Sequence, residues 1–136
     1  MGSQYYSCIG SAKDGYPLYP LYYMTYLFTH TCKPGWQVVK TSSNVDVHNT
    51  FVVSAIKDVS GKNQTVYAIN LGQKSTQFSI GGLTPNKKYN VYSFNSDGKG
   101  GLKEEIDMIS SASGTMTSTA DANTLLAITT MKVKIK

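Results

Sequence analysis

The feature that most constrains the fold is a change of hydrophobic pattern just after residue 35. From Trp36 onward, apolar and polar residues alternate in short runs separated by segments rich in Gly, Asn, Asp and Pro. A period of two is typical of strands that present alternate side chains to opposite faces of a sheet. About seven or eight such runs predict an all-β, antiparallel β-sandwich over residues 36–136. The strand candidates are 36–41, 50–57, 64–71, 75–80, 88–95, 105–110, 114–119 and 125–136.

A different pattern precedes the strands. Seven of the ten tyrosines lie before residue 27. Pro20 suits the first turn of a helix, and Cys32-Lys33-Pro34-Gly35 is a strong stop signal. The residues between them predict one α-helix at about 20–31, apolar on nearly every side, with Tyr22 and Tyr26 one turn apart. Because such a helix is normally buried on several sides, we predict two units, residues 1–33 and the sandwich domain 36–136.

The charge pattern argues against nucleic acid as a partner. The net charge of +5 comes from 13 lysines and no arginine. The commonest specific base contact is a bidentate arginine on guanine, whereas scattered lysines are typical of a solvated surface. No run of about eighteen apolar residues is present, so we expect no membrane span. Residues 1–4 lack the features of a signal peptide, and we expect the chain to be cut from a longer protein with any signal upstream.

Three stretches together resemble a known enzyme superfamily. They are Asp14-Gly15-Tyr16-Pro17 leading into Pro20-Leu21-Tyr22-Tyr23 and Phe28, the strand pattern at 65–71, and the closing pattern at 125–135. They are similar to the end of retaining glycoside hydrolases of the (β/α)8 superfamily, such as families 30, 39, 44 and 51. In these families, the last barrel strand-to-helix connection and the last helix are followed by a C-terminal β-sandwich. Thr130 stands where the closing strand usually has Ser, and the usual Pro is absent.

The resemblance implies that this chain carries no catalytic residue. The two catalytic glutamates of such enzymes lie at the ends of barrel strands four and seven, upstream of the matching region. Residues 1–33 would then be the remnant of the last barrel strand and helix.

The acids of the chain support the same conclusion independently. Retaining hydrolysis needs two carboxyl groups about 5–5.5 Å apart. Most of the eight acids lie in turns, and the one dense cluster, Glu104-Glu105 with Asp107, is best interpreted as a solvated edge. His30 and His48 fall on different elements, and Cys8 and Cys32 have no metal-ligand spacing. We therefore expect no enzyme activity in the chain alone, no cofactor and no metal.

The function predicted from these patterns is that of a non-catalytic accessory domain that braces an upstream catalytic barrel of the same parent chain. Bracing predicts an aromatic surface that is exposed without the barrel, which would leave a monomer or a weakly self-associating chain. The parent would act outside the cell, in the periplasm or at the cell surface. If the sandwich has a complete core of its own, deleting residues 1–33 should leave it folded. The predicted barrel-packing residues are Tyr16, Tyr19, Tyr22, Tyr23 and Tyr26.

One alternative is a carbohydrate-binding module that uses exposed aromatic rings against a polysaccharide. Trp36 starts a strand after a Pro-Gly turn, and Tyr92 lies opposite Tyr89 and Val91 on its strand, so both are candidate sugar-stacking residues. Tyr67 alternates with core positions, and we predict that it is buried.

A second alternative is a fibronectin-like adhesion or interaction module. The stretch Gly82-Leu83-Thr84-Pro85, followed by Tyr89, is similar to a corner of fibronectin type III domains in which the Leu and the Tyr lock a loop to the core. This corner recurs in many sandwiches and supports the fold more than a function.

Overall fold

A computed structural model describes residues 8–43, 50–98 and 100–135. In these ranges the chain is mostly β, with one α-helix, and every strand pair is antiparallel. The predicted all-β sandwich with one helix is confirmed. The elements are a 3-10 turn at Ala12–Asp14, α1 Pro20–Thr31, β1 Gln37–Val39, β2 Phe51–Lys57, β3 Gln64–Asn70, β4 Thr76–Ile80, β5 Lys88–Asn95, β6 Lys103–Glu104, β7 Met108–Ile109, β8 Met116–Ala120 and β9 Thr124–Thr129.

The strands form one large sheet and one small sheet. The large sheet has the order β1-β2-β3-β9-β5-β6, with β7 also paired to β5, and the small sheet pairs β4 with β8. The closing strand β9 therefore lies between β3 and β5, in the middle of the large sheet. All six of its residues are buried, as expected for a strand that is paired on both edges and covered on both faces.

Two predicted strands differ in the structure. The predicted strand 105–110 is replaced by β6 and β7, each two residues long and separated by 105–107. The closing strand ends at Thr129, although the alternation continues to residue 135. After Thr129 the backbone forms hydrogen bonds with side chains of β5. The Tyr92 hydroxyl accepts from the Val133 N–H at 2.9 Å, and the Asn90 amide donates to the Met131 carbonyl at 3.0 Å.

The first core lies between the two sheets. One face of the large sheet supplies most of it, including Phe51, Tyr89 and Ile128, and β8 of the small sheet supplies Met116. Phe51 and Phe78 join the two sheets, with ring centroids 5.1 Å apart. This is the packing expected of a sandwich, in which alternate residues of each strand point inward.

The second core lies on the opposite face of the large sheet, beneath α1. Leu27 is fully buried there among strand residues that include Tyr92, Phe94 and Leu125. Thr31, one turn later, receives a hydrogen bond from Tyr67 at 2.6 Å and donates to the Leu27 carbonyl at 2.7 Å. The predicted burial of Tyr67 is confirmed. The large sheet is thus covered by the small sheet on one face and by the helix on the other.

The predicted corner that contains Leu83 and Tyr89 is confirmed as a structural lock. Both side chains are buried. The Tyr89 hydroxyl donates to Gln64 Oε1 at 2.5 Å and accepts from the Thr84 N–H at 3.1 Å. A loop held by both core packing and a buried hydroxyl connects β4 to β5 with little freedom.

The buried hydroxyl of Tyr67 predicts a loss of stability at alkaline pH. Burial raises the pKa of Tyr67 to about 12 from an ordinary value of 10.0. Between these values the folded chain keeps a proton that the unfolded chain releases. The contribution of Tyr67 is therefore complete below about pH 10 and is lost as the pH rises towards about 12. Urea unfolding between about pH 10 and pH 12 should show that the free energy of unfolding falls as the pH rises. The fall should be shallower in Tyr67→Phe than in the wild type.

The exposed Tyr16 provides the control for this experiment. Tyr16→Phe removes the hydroxyl of a tyrosine that is 63% exposed, and it shows how far the loss of a surface hydroxyl alone changes the curve. An equal slope in Tyr67→Phe and the wild type would contradict the assignment of the effect to Tyr67.

Candidate functional site

Trp36 lies at the margin of the helix-side core. It follows the turn closed by the hydrogen bond from the Trp36 N–H to the Lys33 carbonyl at 3.2 Å. Its side chain is half-buried and packs against the cluster that contains Leu27 and Tyr67. The ring thus has a role in the core, and sugar stacking by Trp36 stays a prediction.

The expected exposure of Tyr92 is wrong. The side chain is fully buried. Its hydroxyl accepts from the Val133 N–H, and burial is the main cause that raises the pKa of Tyr92. Alternation does place Tyr92 on the face of β5 opposite to that of Tyr89 and Val91. However, α1 covers the face that carries Tyr92, and the small sheet covers the other face. A strand covered on both faces has no solvent side to offer a sugar.

The five predicted barrel-packing tyrosines do not share one exposed face. Tyr16 is 63% exposed in the segment before the helix, whereas Tyr19 is half-buried at the helix N-cap. Tyr23 points toward the sheet, with its ring centroid 6.4 Å from that of Phe94. Tyr26 donates its hydroxyl to the Lys134 carbonyl at 2.7 Å, and its ring lies 6.0 Å from the stacked ring of Tyr22.

The most exposed apolar side chains of α1 lie on its other flank. Met24 is 44% exposed and Phe28 is 51% exposed, one turn apart. Beside them is an apolar cleft of about 340 Å³ between the helix and the sheet. Ile9 and Leu18, which pair in an isolated antiparallel bridge, are also exposed. We call the flank of α1 that carries Met24 and Phe28 the apolar face.

A second cleft, of about 300 Å³, lies on the tyrosine side of the helix. Sequence reasoning identified the spacing of Tyr22 and Tyr26 but not the opposite wall, which comes from segments about 75 to 110 residues away in the chain. Only the fold brings these segments together. We call it the tyrosine cleft; it is lined by Leu18, Tyr22, Tyr23, Tyr26, Gly100, Gly101, Leu102 and Ile135.

The acidic cluster has structural partners. Lys88 Nζ lies 2.7 Å from Asp107 Oδ2, and the ion pair raises the pKa of Lys88. Ser93 donates to Glu105. Among the residues that the structure describes, no three His, Cys, Asp or Glu side chains are grouped to hold a metal ion. The contacts are those of a strand edge.

The histidines and cysteines do not meet in a site within the described residues. His30 stacks on Tyr26 with centroids 4.0 Å apart, and His30 Nδ1 lies 2.7 Å from the Tyr26 carbonyl oxygen. His48 lies outside the described residues. Cys8 and Cys32 are both free thiols. No described helix is long and apolar enough to cross a bilayer.

Comparisons with solved structures identify a shared fold. No protein-family model and no curated protein sequence matches this chain. A family 30 endoxylanase from Clostridium papyrosolvens matches with a TM-score of 0.70 and 16% identity, over 85% of this chain and 28% of the enzyme. A family 30 subfamily 8 xylanase from Clostridium acetobutylicum matches with a TM-score of 0.70 and 19% identity, over 90% of this chain and 30% of the enzyme.

These matches show that the chain shares a fold with part of each enzyme structure. A family 44 endoglucanase from Clostridium thermocellum also matches, with a TM-score of 0.54 and 17% identity, over 62% of this chain and 17% of the enzyme. The resemblance drawn from the sequence to families 30 and 44 is thus confirmed as a likeness of fold. The chain spans less than a third of the length of these enzymes.

Proposed function

We propose that this chain is a non-catalytic accessory domain that braces the catalytic barrel of a glycoside hydrolase-like parent protein. The observation that carries the proposal is the extent of the matches. They take in 85–90% of this chain but only 28–30% of each family 30 enzyme. In this proposal, residues 1–33 are the last barrel strand and helix, and residues 36–136 are the sandwich domain. The hydrolytic residues then belong to the upstream region.

The apolar face supports bracing. Met24 and Phe28 project from one flank of a helix whose inner side already packs on the sandwich. A (β/α)8 barrel in the same parent chain is the partner that would cover this flank. An apolar surface of this kind is costly in a free domain, and the isolated chain would hide it by weak self-association or remain a monomer with the face exposed.

The parent would act on polysaccharide outside the cytoplasm. The structures of similar fold are described as xylanases and endoglucanases, which act on polymers. The bracing domain then serves an extracellular, periplasmic or surface enzyme.

Two steps test the proposal. The coding sequence upstream of residue 1 should encode alternating strands and helices with two glutamates at strand ends. In that parent protein, Met24→Lys combined with Phe28→Lys should split a single calorimetric unfolding transition into two, because buried lysines would break the contact between barrel and sandwich.

Thr25 and Thr29 provide a matched control on the same helix. Both are exposed, and Thr25→Lys combined with Thr29→Lys adds the same charge away from the apolar face. This variant should keep the single transition. An upstream sequence without a barrel, or equal behaviour of the two double variants, would overturn the bracing role.

A further inference from the structure

The tyrosine cleft has the chemistry of a ligand site rather than of a packing defect. Its described lining contains three phenol rings, two glycines and three aliphatic side chains, with no charged side chain. Aromatic walls with a few polar groups are the usual composition of small-ligand sites, and about 300 Å³ is at the small end of their range. An uncharged, partly polar wall favours an uncharged, partly polar ligand.

The three tyrosine rings of the cleft are arranged so that a bound molecule could meet both a ring face and a ring edge. Tyr22 and Tyr23 meet edge to face, with centroids 5.5 Å apart and an interplanar angle of 85°. Tyr22 and Tyr26 are stacked at an angle of 26°. The negative face of an aromatic ring attracts the weakly positive C–H groups of an apolar ring surface, while a phenol O–H at its edge can bond to a hydroxyl.

Hydroxyl groups are available at the cleft. The Tyr26 hydroxyl is engaged by the Lys134 carbonyl, but those of Tyr22 and Tyr23 have no hydrogen-bond partner within the described residues. Tyr22 and Tyr23 are half-buried, so neither group is sealed from solvent. Phenols that are oriented but unbonded can serve as donors or acceptors for a bound molecule.

Glycines keep the opposite wall open. Gly101 has φ +61°, and a Cβ placed on it would lie 3.3 Å from the Tyr23 ring. Gly100, with φ +76°, also lies in the left-handed region that favours glycine. Any side chain at Gly101 would crowd the Tyr23 ring. Because neither glycine has a side chain, this wall of the cleft consists of backbone atoms and leaves space beside the tyrosine rings.

From these features we propose that the tyrosine cleft binds a neutral sugar unit of a polysaccharide. A pyranose combines an apolar C–H face with a rim of hydroxyls, which matches stacked phenol rings with free O–H groups and an uncharged wall. The ring of Tyr22 supplies the stacking surface, and the hydroxyls of Tyr22 and Tyr23 bond to the sugar rim. This site is separate from Trp36 and Tyr92.

The cleft and the apolar face lie on different flanks of α1. Tyr22 and Tyr26 follow one flank, whereas Met24 and Phe28 follow the other. Sugar binding therefore does not depend on the bracing role, and the isolated chain can be used to test it.

Isothermal titration calorimetry of the isolated chain tests the proposal, with xylohexaose and cellohexaose as neutral probes. We expect saturable binding of at least one probe at millimolar concentration. Tyr22→Ala should weaken it by about tenfold, and Tyr22→Phe, which keeps the ring, should weaken it by less. Thermal unfolding of each variant shows whether the fold is retained.

Phe28→Ala is the matched control, because it removes an exposed ring from the opposite flank of the same helix. Its affinity should equal that of the wild type. No heat of binding for either probe, or equal loss in Phe28→Ala and Tyr22→Ala, would overturn the proposal. Binding lost only in Trp36→Ala would place the sugar at Trp36 instead.

Discussion

Deletion of residues 1–33 is expected to abolish cooperative unfolding of the remaining chain. The helix packs over β5 and β9 in the middle of the large sheet, and Leu27 is buried among Tyr92, Phe94 and Leu125. Each large apolar side chain moved from the core to water costs about 1.5–3 kcal/mol. Several such losses together approach the free energy of unfolding of a typical domain, which is about 5–15 kcal/mol.

This result is the opposite of the expectation drawn from the sequence, in which the strands have a complete core of their own. The measurement is thermal unfolding followed by circular dichroism. Deletion of residues 1–11, which keeps α1, is the control and should retain a sigmoidal transition. A sharp transition in the 1–33 deletion would show that the second core is dispensable.

Adjacent residues of α1 allow a milder version of the same test. Leu27 is fully buried, whereas its neighbour Phe28 is half-exposed. Leu27→Ala should therefore lower the free energy of unfolding by about 2–5 kcal/mol, and Phe28→Ala should lower it much less. Similar losses in the two variants would contradict the position of the helix.

Gly114→Ala is expected to destabilise the fold by about 2–5 kcal/mol. Gly114 is buried, with φ +71°, and accepts a hydrogen bond from the Leu83 N–H at 3.0 Å. A Cβ at this position would overlap the Leu83 carbonyl oxygen, which is backbone and cannot rotate away. The substitution therefore adds a steric clash to the ordinary cost of a left-handed alanine.

Gly15 separates these two costs. It has the same φ of +71°, but nothing lies within 4 Å of a Cβ placed on it. Gly15→Ala should cost only about 1–2 kcal/mol, from the backbone conformation alone. Urea unfolding of both variants measures the difference. Equal losses would mean that the close approach of Gly114 to Leu83 does not constrain the fold.

Local patterns predicted the elements well where the whole signal lies within a few neighbouring residues. Pro20 and the Pro34-Gly35 turn bracket a helix that the structure has at Pro20–Thr31. The alternation over 64–71 became β3 Gln64–Asn70. The same approach was less accurate at 105–110, where the strand pairing with β5 is interrupted. It also failed after Thr129, where side chains of β5 form hydrogen bonds with the backbone in place of a neighbouring strand.

Exposure could not be predicted in the same way. Period two shows that Tyr92 and Tyr89 point to opposite faces of β5, but not that both faces are covered. The Tyr22 and Tyr26 spacing was visible in the sequence, whereas the glycine wall opposite them depends on where the segment after β5 lies against α1.

The sequence by itself determined most of the strands, the helix and the lock at Leu83 and Tyr89, because dihedral preferences and periodicity act over a few residues. It also carried enough of the segment order to indicate the fold that the chain shares with glycoside hydrolase structures of families 30 and 44. Only the tertiary structure decided that β9 occupies the centre of the large sheet, that α1 completes a second core and that the tyrosines border a cleft. Those outcomes depend on contacts between distant segments, and they are selected by the burial of both sheet faces together rather than by any local preference.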